Sequence, residues 1–540
     1  MAEEIELKLA LPENAQRAFL RHPLLRQATH KQVYRLTNLY YDTPALALRK
    51  RGIALRLRAQ GKFWLQSVKC AGSRAGGLSA RPEWETPYGG HFDFAAIDDP
   101  RVRDWLERPK VASCIAPIFE TNFQRTAWTF NLVRGTRIEL ALDRGWIAAG
   151  GQREAISEVE IELLEGDPAE LFALAQALAA RTPLVLAPLS KADRGYRLFG
   201  QIPATPFRAV PIPLSATDTP VEAFRNIALA CLDHLQRNHA GAIHSDDPEY
   251  IHQMRVAVRR LRAALRLFGP LLPEGFAAQL LPALQDLMTM LGAARDYDVL
   301  LAEIAEPVLH ALPDEPRLAA LVGVITERRF AIRRDALQRL AAPHYGEVVL
   351  QTLATLHGLG VKVGAGPTQA DVSPPVGGSE PVLRAWGANK VGAGETAPEE
   401  AESTPPTLLD FAEAQLRRLR KKTLALAAQA SVDAPETLHA LRIGIKRLRY
   451  ALEFFASLAA RKPMQRLIDH LADLQDALGQ INDLANAGAL LMDCADEDAR
   501  LREAVTLIGG WHGPHHQKLL SAVPRGLKRL GKLKLPKFRT

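Results

Sequence analysis

The sequence predicts a multidomain α+β protein: an antiparallel β barrel with a charged lumen, followed by an all-α domain built from a duplicated unit. Three observations carry this. Strand-like segments up to about residue 200 alternate charged with apolar residues, and from about 215 the periodicity turns helical and rich in Ala, Leu and Arg. Within the helical part, a pattern of residues recurs at a constant offset of 187. Positions two apart share one face of a strand, and a period of 3.6 marks one face of a helix.

The first strand is the most telling element. In Glu4-Ile5-Glu6-Leu7-Lys8, two carboxylates and an ammonium fall on one face. The run Ser157 to Leu163 returns Glu158, Glu160 and Glu162 at the same spacing, and Arg56 and Arg58 form a cationic pair between them. Further strands are expected at 34–40, 53–59, 63–69, 123–133 and 137–142, with Gly61, Gly135 and Gly150 near the junctions. Helices are expected at 14–20 and 168–180, the second with Asp167 as N-cap and Pro168 at the first helical position. One charged strand face is ordinarily the solvated side of a sheet. Four or five such strands, with acids on the first and last, describe a barrel whose charge lines the interior.

A lumen carrying both signs suits a highly charged phosphate chain. Glu4 and Glu6 with Glu158, Glu160 and Glu162 are hard oxygen ligands of the kind Mg²⁺ or Mn²⁺ takes. Glu83, Glu85, Glu139 and Asp143 are further acids with the right alternation, and Lys8, Arg56, Arg58, Lys69, Arg125 and Lys191 are the cations. The cations would neutralise phosphate oxygens while a metal polarises the attacked phosphorus and activates water.

In the helical part, His252, Arg255, Arg259, Arg262 and Arg266 are spaced 3, 4, 3 and 4 apart, along one helix face. His439, Arg442, Lys446 and Arg449 repeat the stripe 187 residues later, and at the same offset Arg260 meets Arg447, Phe268 meets Phe455, Leu291-Gly292 meets Leu478-Gly479, and Asp296 meets Asp483. A constant offset over some 45 residues indicates duplicated helical units. So many cations on one stripe exceed what the two aspartates neutralise, and Arg forks and Lys ammonium groups match phosphate oxygens. The arginines beside each His argue against a metal site there. Between the copies, residues 362–406 are dominated by Gly, Pro, Ala, Ser and Glu and are expected to form a disordered insertion. Residues 525–540 carry seven Lys or Arg and no acid, the end of a last helix and a basic tail.

Composition bounds the rest. A chain of 540 residues exceeds one core, and 47% hydrophobic with 24% charged residues is ordinary for a globular protein. The net charge of +8 favours an anionic partner. Cys70, Cys114, Cys231 and Cys494 form no CxxC pair, which speaks against a zinc site or disulfide framework and for a reducing cytoplasm. No stretch is apolar enough to span a bilayer, and with a strand starting this near Met1 no signal peptide is expected.

Glu4 to Lys8 matches the ExExK signature of the CYTH superfamily, the triphosphate tunnel metalloenzymes. Tyr40-Tyr41-Asp42-Thr43, Leu55 to Arg58, Lys69, Glu85, Arg125, Asp143, the closing acidic strand and Ser190-Lys191 follow in the family's order, so residues 1–200 resemble that domain. The resemblance implies an antiparallel eight-stranded tunnel. In it Glu4, Glu6, Glu85, Asp143 and the Glu158/Glu160/Glu162 strand hold one or two metals, with two registers open for the three closing glutamates. Lys8, Arg56, Arg58, Lys69, Arg125 and Lys191 would bind phosphates.

Residues 215–535, with both HxxRxxx[RK]RxR copies, resemble the CHAD family, an all-α domain of two similar four-helix halves, here about 215–360 and 407–535. That family is associated with binding inorganic polyphosphate in a basic groove, which implicates His252, Arg255, Arg259, Arg260, Arg262, His439, Arg442, Lys446, Arg447 and Arg449. Together the resemblances imply a cytoplasmic inorganic triphosphatase using Mg²⁺, with Mn²⁺ as the alternative, associated with polyphosphate granules. Its expected partners are inorganic triphosphate and long-chain polyphosphate, not membrane.

The competing expectations are a polyphosphate-binding protein with a weak or inactive tunnel, and a nucleotide or thiamine triphosphatase or adenylate cyclase. Trp64, Trp84, Trp128 and Trp146 are the residues that could stack on an organic ring. Nucleic acid is disfavoured because no aromatic platform accompanies the arginine stripes.

Overall fold

The computed structural model describes residues 3–70, 73–75, 78–132, 135–359, 406–532 and 534–538. The expected insertion at 362–406 lies outside the described residues except for Pro406.

The first part contains strands β1 (Glu3–Ala10), β2 (His30–Asp42), β3 (Ile53–Gln60), β4 (Phe63–Cys70), β5 (Ser73–Ala75), β6 (Leu78–Pro87), β7 (Ala116–Asn131), β8 (Arg137–Ala149), β9 (Gln152–Glu165) and β10 (Val185–Leu186). Helices α1 (Gln16–Phe19), α2 (Ala47–Lys50), α3 (Pro100–Leu106), α4 (Pro109–Ala112), α5 (Ala169–Ala179) and α6 (Lys191–Phe199) connect them. The sheet runs β10-β1-β9-β8-β7-β2-β3-β4-β6-β5, and β1 also pairs with β6. That extra pairing closes eight strands into an antiparallel barrel, with β5 and β10 as short additions.

Alternation decides which way each side chain faces. Ile53, Leu55 and Val68 point outward and pack beneath Phe94, Ile97 and the α3 residues Trp105 and Leu106. Leu7, Leu9, Leu140, Leu142, Val159 and Ile161 point outward under Leu171, Phe172, Leu174 and Leu178 of α5. Each such side chain contributes about 1.5–3 kcal/mol when taken from water, so the helices cover the outside and the charge is left within. The strand expected at 123–133 begins earlier, at Ala116, because Phe119 and Thr121 continue the inward alternation, and its last expected residue, Val133, lies outside the described residues. The helix expected from Pro168 starts at Ala169, and the Asp167 carboxylate accepts the Ala169 N–H at 2.9 Å, which keeps its capping role. The helix expected at 14–20 is a 3₁₀ turn over Glu13–Ala15 followed by α1.

The second part is helical: α7 (Pro220–His244), α8 (Pro248–Phe268), α9 (Phe276–Val299), α10 (Glu306–Ala311), α11 (Pro316–Ala341), α12 (Pro343–His357), α13 (Leu408–Gln429), α14 (Pro435–Phe454), α15 (Arg461–Ala495) and α16 (Ala499–Lys532). A π-helical turn over Leu300–Ala305 joins α9 to α10, so that this run matches the single long helix α15. The halves are thus α7, α8, α9–α10 and α11 against α13, α14, α15 and α16. At their junction Phe268 lies 4.9 Å from Phe411 and 5.9 Å from its own repeat counterpart, Phe455, between ring centroids.

Helix α12 docks on the barrel. A Cβ at Gly346 would stand 1.9 Å from the Leu184 carbonyl oxygen, so only glycine permits this approach. Gln176 of α5 donates to Gln351 at 3.2 Å, and Phe172 stacks on His357 at 4.9 Å. One continuous apolar core therefore runs from the barrel into the helices.

Candidate active site and anion groove

The barrel interior is built from strand register. Asp143 on β8 stands between Arg125 on β7 and Glu158 on β9, and Glu160 stands opposite Lys8 on β1. Arg125 donates to Asp143 through Nε (2.7 Å) and Nη2 (2.6 Å), and also reaches Glu160. Lys191, at the start of α6, contacts Asp143 at 2.7 Å and Glu160 at 3.1 Å and also pairs with Glu158. Lys8 bonds Glu6 at 2.7 Å and also bonds Glu160. Asp143, Glu158 and Glu160 offer carboxylate oxygens all within 4.8 Å of one another. Burial opposes the charge on Glu160, but Lys191, Lys8 and Arg125 outweigh it and hold its carboxyl well below the usual range. Burial likewise works against the Lys191 ammonium, and Asp143, Glu158 and Glu160 raise it above its ordinary value.

A second charged group lines the opposite wall, on β3, β4 and β6. Glu83 accepts from Arg56 at 3.1 Å and Ser67 at 2.7 Å, and pairs with Lys69 at 2.8 Å. Despite its burial, Lys69 and Arg56 lower the Glu83 carboxyl to about 2. Arg58 donates to Asn38 at 3.2 Å and lies 3.7 Å from Glu85. Beside the two walls, Leu36, Tyr40, Phe119, Phe123 and Ile147 form an apolar cluster with Tyr196 of α6. Buried Asp42 anchors that helix: it accepts the backbone N–H groups of Thr43, Leu48 and Arg49 and the Tyr196 hydroxyl at 3.2 Å.

The structure thus brings together Glu6, Lys8, Arg125, Asp143, Glu158, Glu160 and Lys191 on one wall and Arg56, Arg58, Lys69 and Glu85 on the other. Glu162 stands next along β9, in register with Glu6 and Glu139, outside the tight carboxylate trio. Glu4 occupies β1 opposite Arg81, and its side chain lies outside the described residues. Trp64, Trp84, Trp128 and Trp146 alternate with the inward residues and take the outer face: Trp84 donates to Asp98 at 3.0 Å, Trp128 packs on Phe19, and Arg153 lies 4.5 Å over Trp146. Residue-type reasoning missed Asn38, Ser67 and Arg194. Asn38 and Ser67 share the alternation of Tyr40 and Lys69. Arg194 lies one helical turn from Lys191 and donates to Glu158 at 3.2 Å and Glu154 at 2.6 Å.

In the helical domain the stripes of α8 and α14 face each other. Arg255 approaches Asp296 at 3.8 Å, and its counterpart Arg442 approaches Asp483 at 3.9 Å. Burial, and then Arg259, Arg442, Arg255 and Arg449, depress the Lys446 ammonium to about 7. Burial and nearby Arg295 depress His252 to about 4. Two expected groove residues fall elsewhere. Arg260 is only 7% exposed and turns inward to pair with Glu453 of the other repeat. Its counterpart Arg447 is exposed and lines a cavity of about 200 Å³ between α13 and α14 with Lys422 and Ile443. Each follows one residue after a stripe position, so a turn of about 100° carries it off that face.

An antiparallel barrel lined with paired charges, joined to a duplicated helical domain with two basic stripes, defines the class. The CYTH domain model matches residues 2–196 and the CHAD domain model matches 226–492, and the chain belongs to the proteins that carry a CYTH domain followed by a CHAD domain. It is similar to an inorganic triphosphatase of Haemophilus influenzae, 32% identical over 199 residues, covering 37% of this chain and 55% of that protein. The chain therefore spans about half the length of that curated relative. Among solved structures it is similar to the CHAD domain of the plant Ricinus communis (32% identity, 62% of this chain and 99% of that one, TM-score 0.48). It is also similar to a putative adenylyl cyclase of Hippeastrum with a dominant triphosphatase activity (19% identity, 36% and 95%, TM-score 0.26).

Proposed function

We propose that the barrel is a metal-dependent inorganic triphosphatase, cleaving triphosphate to diphosphate and phosphate, and that the helical groove binds long inorganic polyphosphate. One observation carries the reading: a compact carboxylate trio, Asp143, Glu158 and Glu160, faces a wall of Arg56, Arg58 and Lys69 across the same lumen. The similarity of 199 residues of the chain to the Haemophilus enzyme supports it. The outward placement of the four tryptophans favours an inorganic substrate over one with an organic ring.

The trio fits a hard divalent cation, since three carboxylates within 4.8 Å supply oxygen donors of the right kind for Mg²⁺ or Mn²⁺. Asp143, Glu158 and Glu160 would hold the ion, with Glu6 and Glu4 along β1 as further candidates. Such an ion, when bound, supplies charge to a phosphoryl oxygen and lowers the pKa of a water bound to it. The chain's own residues do the rest. Lys8, Lys191 and Arg125 now neutralise the carboxylates and are placed to turn to phosphate oxygens. Arg56, Arg58 and Lys69 hold the chain from the other wall and stabilise charge developing on the departing diphosphate. Asp42, through Tyr196, fixes α6 and hence Lys191.

The domain units we propose are 1–200 and 215–535, the latter in halves at 215–360 and 407–535. Among the described residues no helix is long and apolar enough to cross a membrane. A cytoplasmic location on polyphosphate granules is the setting in which the two proposed activities would serve each other, the groove raising the local concentration of chains near the tunnel.

The test is phosphate release with Mg²⁺ from triphosphate, ATP, thiamine triphosphate and long polyphosphate in parallel. Preference for triphosphate, abolished by a chelator and reduced on the order of a hundredfold by Asp143→Asn, is the expected outcome. Retained binding of long chains with no release from any substrate would make the barrel a silent tunnel.

A further inference from the structure

The duplication allows the two halves of the groove to be compared position by position, because residues 187 apart occupy equivalent places. The Arg255–Asp296 and Arg442–Asp483 approaches, at 3.8 and 3.9 Å, show that this equivalence holds in three dimensions. Around these shared pairs the halves diverge. In the second repeat, His439 is hydrogen-bonded to Asn482 at 2.7 Å, while Arg449 donates to Gln475 at 3.0 Å and to Glu453 at 2.6 Å. The residues standing at those three acceptor positions in the first repeat are Arg295, Met288 and Arg266. Each acceptor is thus replaced by a cation or an apolar side chain.

At His252 and Arg262 the lost acceptors are those that bond His439 and Arg449, whereas Arg255 and Arg259 differ from Arg442 and Lys446 with no acceptor exchanged. Nδ1 of His252 and the Nε atoms of Arg255, Arg259 and Arg262 are buried without a hydrogen-bond partner, and no stripe residue of the second repeat has such an atom. Arg295 spends one nitrogen on Glu303 at 3.1 Å, which lies off the stripe. A buried donor left unpaired is costly, and an anion oxygen that accepts from it removes that cost. In the second repeat an anion reaching His439 or Arg449 must first displace an amide or carboxylate already bonded there, while Arg442 keeps the same aspartate approach as Arg255.

We infer that the groove is polarised: the first repeat, through His252, Arg255, Arg259 and Arg262, is the seat that fixes phosphate, and the second repeat is a weaker, pre-satisfied extension along which the chain continues. This rests on the reading of the groove as a polyphosphate site and names the half that dominates it. Glu453 has a double part in the arrangement. Its carboxylate neutralises Arg449 and, by pairing with inward-facing Arg260, ties the weaker half to the first repeat.

The test titrates the full chain with long-chain inorganic polyphosphate at two salt concentrations, with thermal melts to verify folding. Arg255→Gln/Arg262→Gln is compared with Arg442→Gln/Arg449→Gln. The first pair should weaken binding about tenfold more than the second and take the larger part of the salt dependence, since each lost phosphate contact lowers the slope. Two swaps between repeats check the cause. The charge-neutral swap Gln475→Met should tighten binding several-fold, and Met288→Gln should weaken it. Equal losses from the two Gln pairs, a larger loss from the second pair, or swaps that leave affinity unchanged would overturn the polarity while leaving polyphosphate binding standing. Failure of the unmodified chain to bind polyphosphate would remove both readings. If either Gln pair fails to fold, the swaps, which keep every stripe cation, decide alone.

Discussion

Arg125 grips Asp143 with two parallel hydrogen bonds, 2.7 Å from Nε to Oδ1 and 2.6 Å from Nη2 to Oδ2, across neighbouring strands that face the lumen. The fork fixes one edge of the carboxylate trio. A lysine keeps the charge but loses the bidentate geometry. Arg125→Lys should therefore lower kcat for triphosphate by on the order of tenfold to a hundredfold with the melting temperature little changed, as steady-state phosphate release and a thermal scan would show.

The opposite wall makes a prediction in acid. Glu83 is held at about 2, with Lys69 and Arg56 outweighing its burial. A carboxyl depressed in the folded state contributes stability that is present above its unfolded value and lost as pH falls through its folded value. The window is therefore from about 4.5 down to about 2. Denaturant unfolding across that range should show a loss that Glu83→Gln flattens, on the order of 2 kcal/mol. An unchanged slope in the variant would remove Glu83 from the acid response.

The groove makes a prediction in the neutral range. Lys446 is depressed to about 7 by burial and by Arg259, Arg442, Arg255 and Arg449. A bound polyanion restores the ammonium, so binding takes up a proton above that value, and affinity should fall as pH rises from 7 toward the ordinary lysine range. Calorimetry in buffers of different ionisation heat should detect the uptake. Lys446→Arg should abolish it and leave affinity flat from pH 7 to 9, whereas persistent uptake in that variant would place the titrating group elsewhere.

Glu453 joins the repeats. Arg260 is almost wholly buried and pairs with it, while Tyr450 and Phe454 lie against the guanidinium. Removing one partner of a buried pair leaves an uncompensated charge, at a cost of about 3–5 kcal/mol. Glu453→Ala should accordingly lower the stability of the helical domain by that order in denaturant unfolding. The double variant Glu453→Leu/Arg260→Met should recover most of it, and no recovery would show that packing around the pair, not its charge, sets the loss.

Much of this molecule was legible along the chain because its signals are periodic. A charge at every second residue on one strand is ordinarily a solvated face, but repeated over several strands with Leu, Val and Ile between, it turns the apolar face out under helices and the charge toward a lumen. The constant offset of 187 likewise puts the two basic stripes on equivalent helices. Arg260 and Arg447 mark the limit of that reading, since they sit inside the motif yet one residue past the stripe. The spacing of His252, Arg255, Arg259, Arg262 and Arg266 already leaves Arg260 off the face.

What the sequence determined by itself, then, was the inside-out barrel, the duplicated helices and the sign of charge on each working face, because side-chain periodicity follows from local backbone geometry. Tertiary structure decided which charges meet. It selected Asp143, Glu158 and Glu160 from a longer series of acids, through the strand register that aligns β8 with β9. It also turned Arg260 to Glu453 and left the Nε atoms of Arg255, Arg259 and Arg262 without partners, because those contacts depend on how separate helices cross.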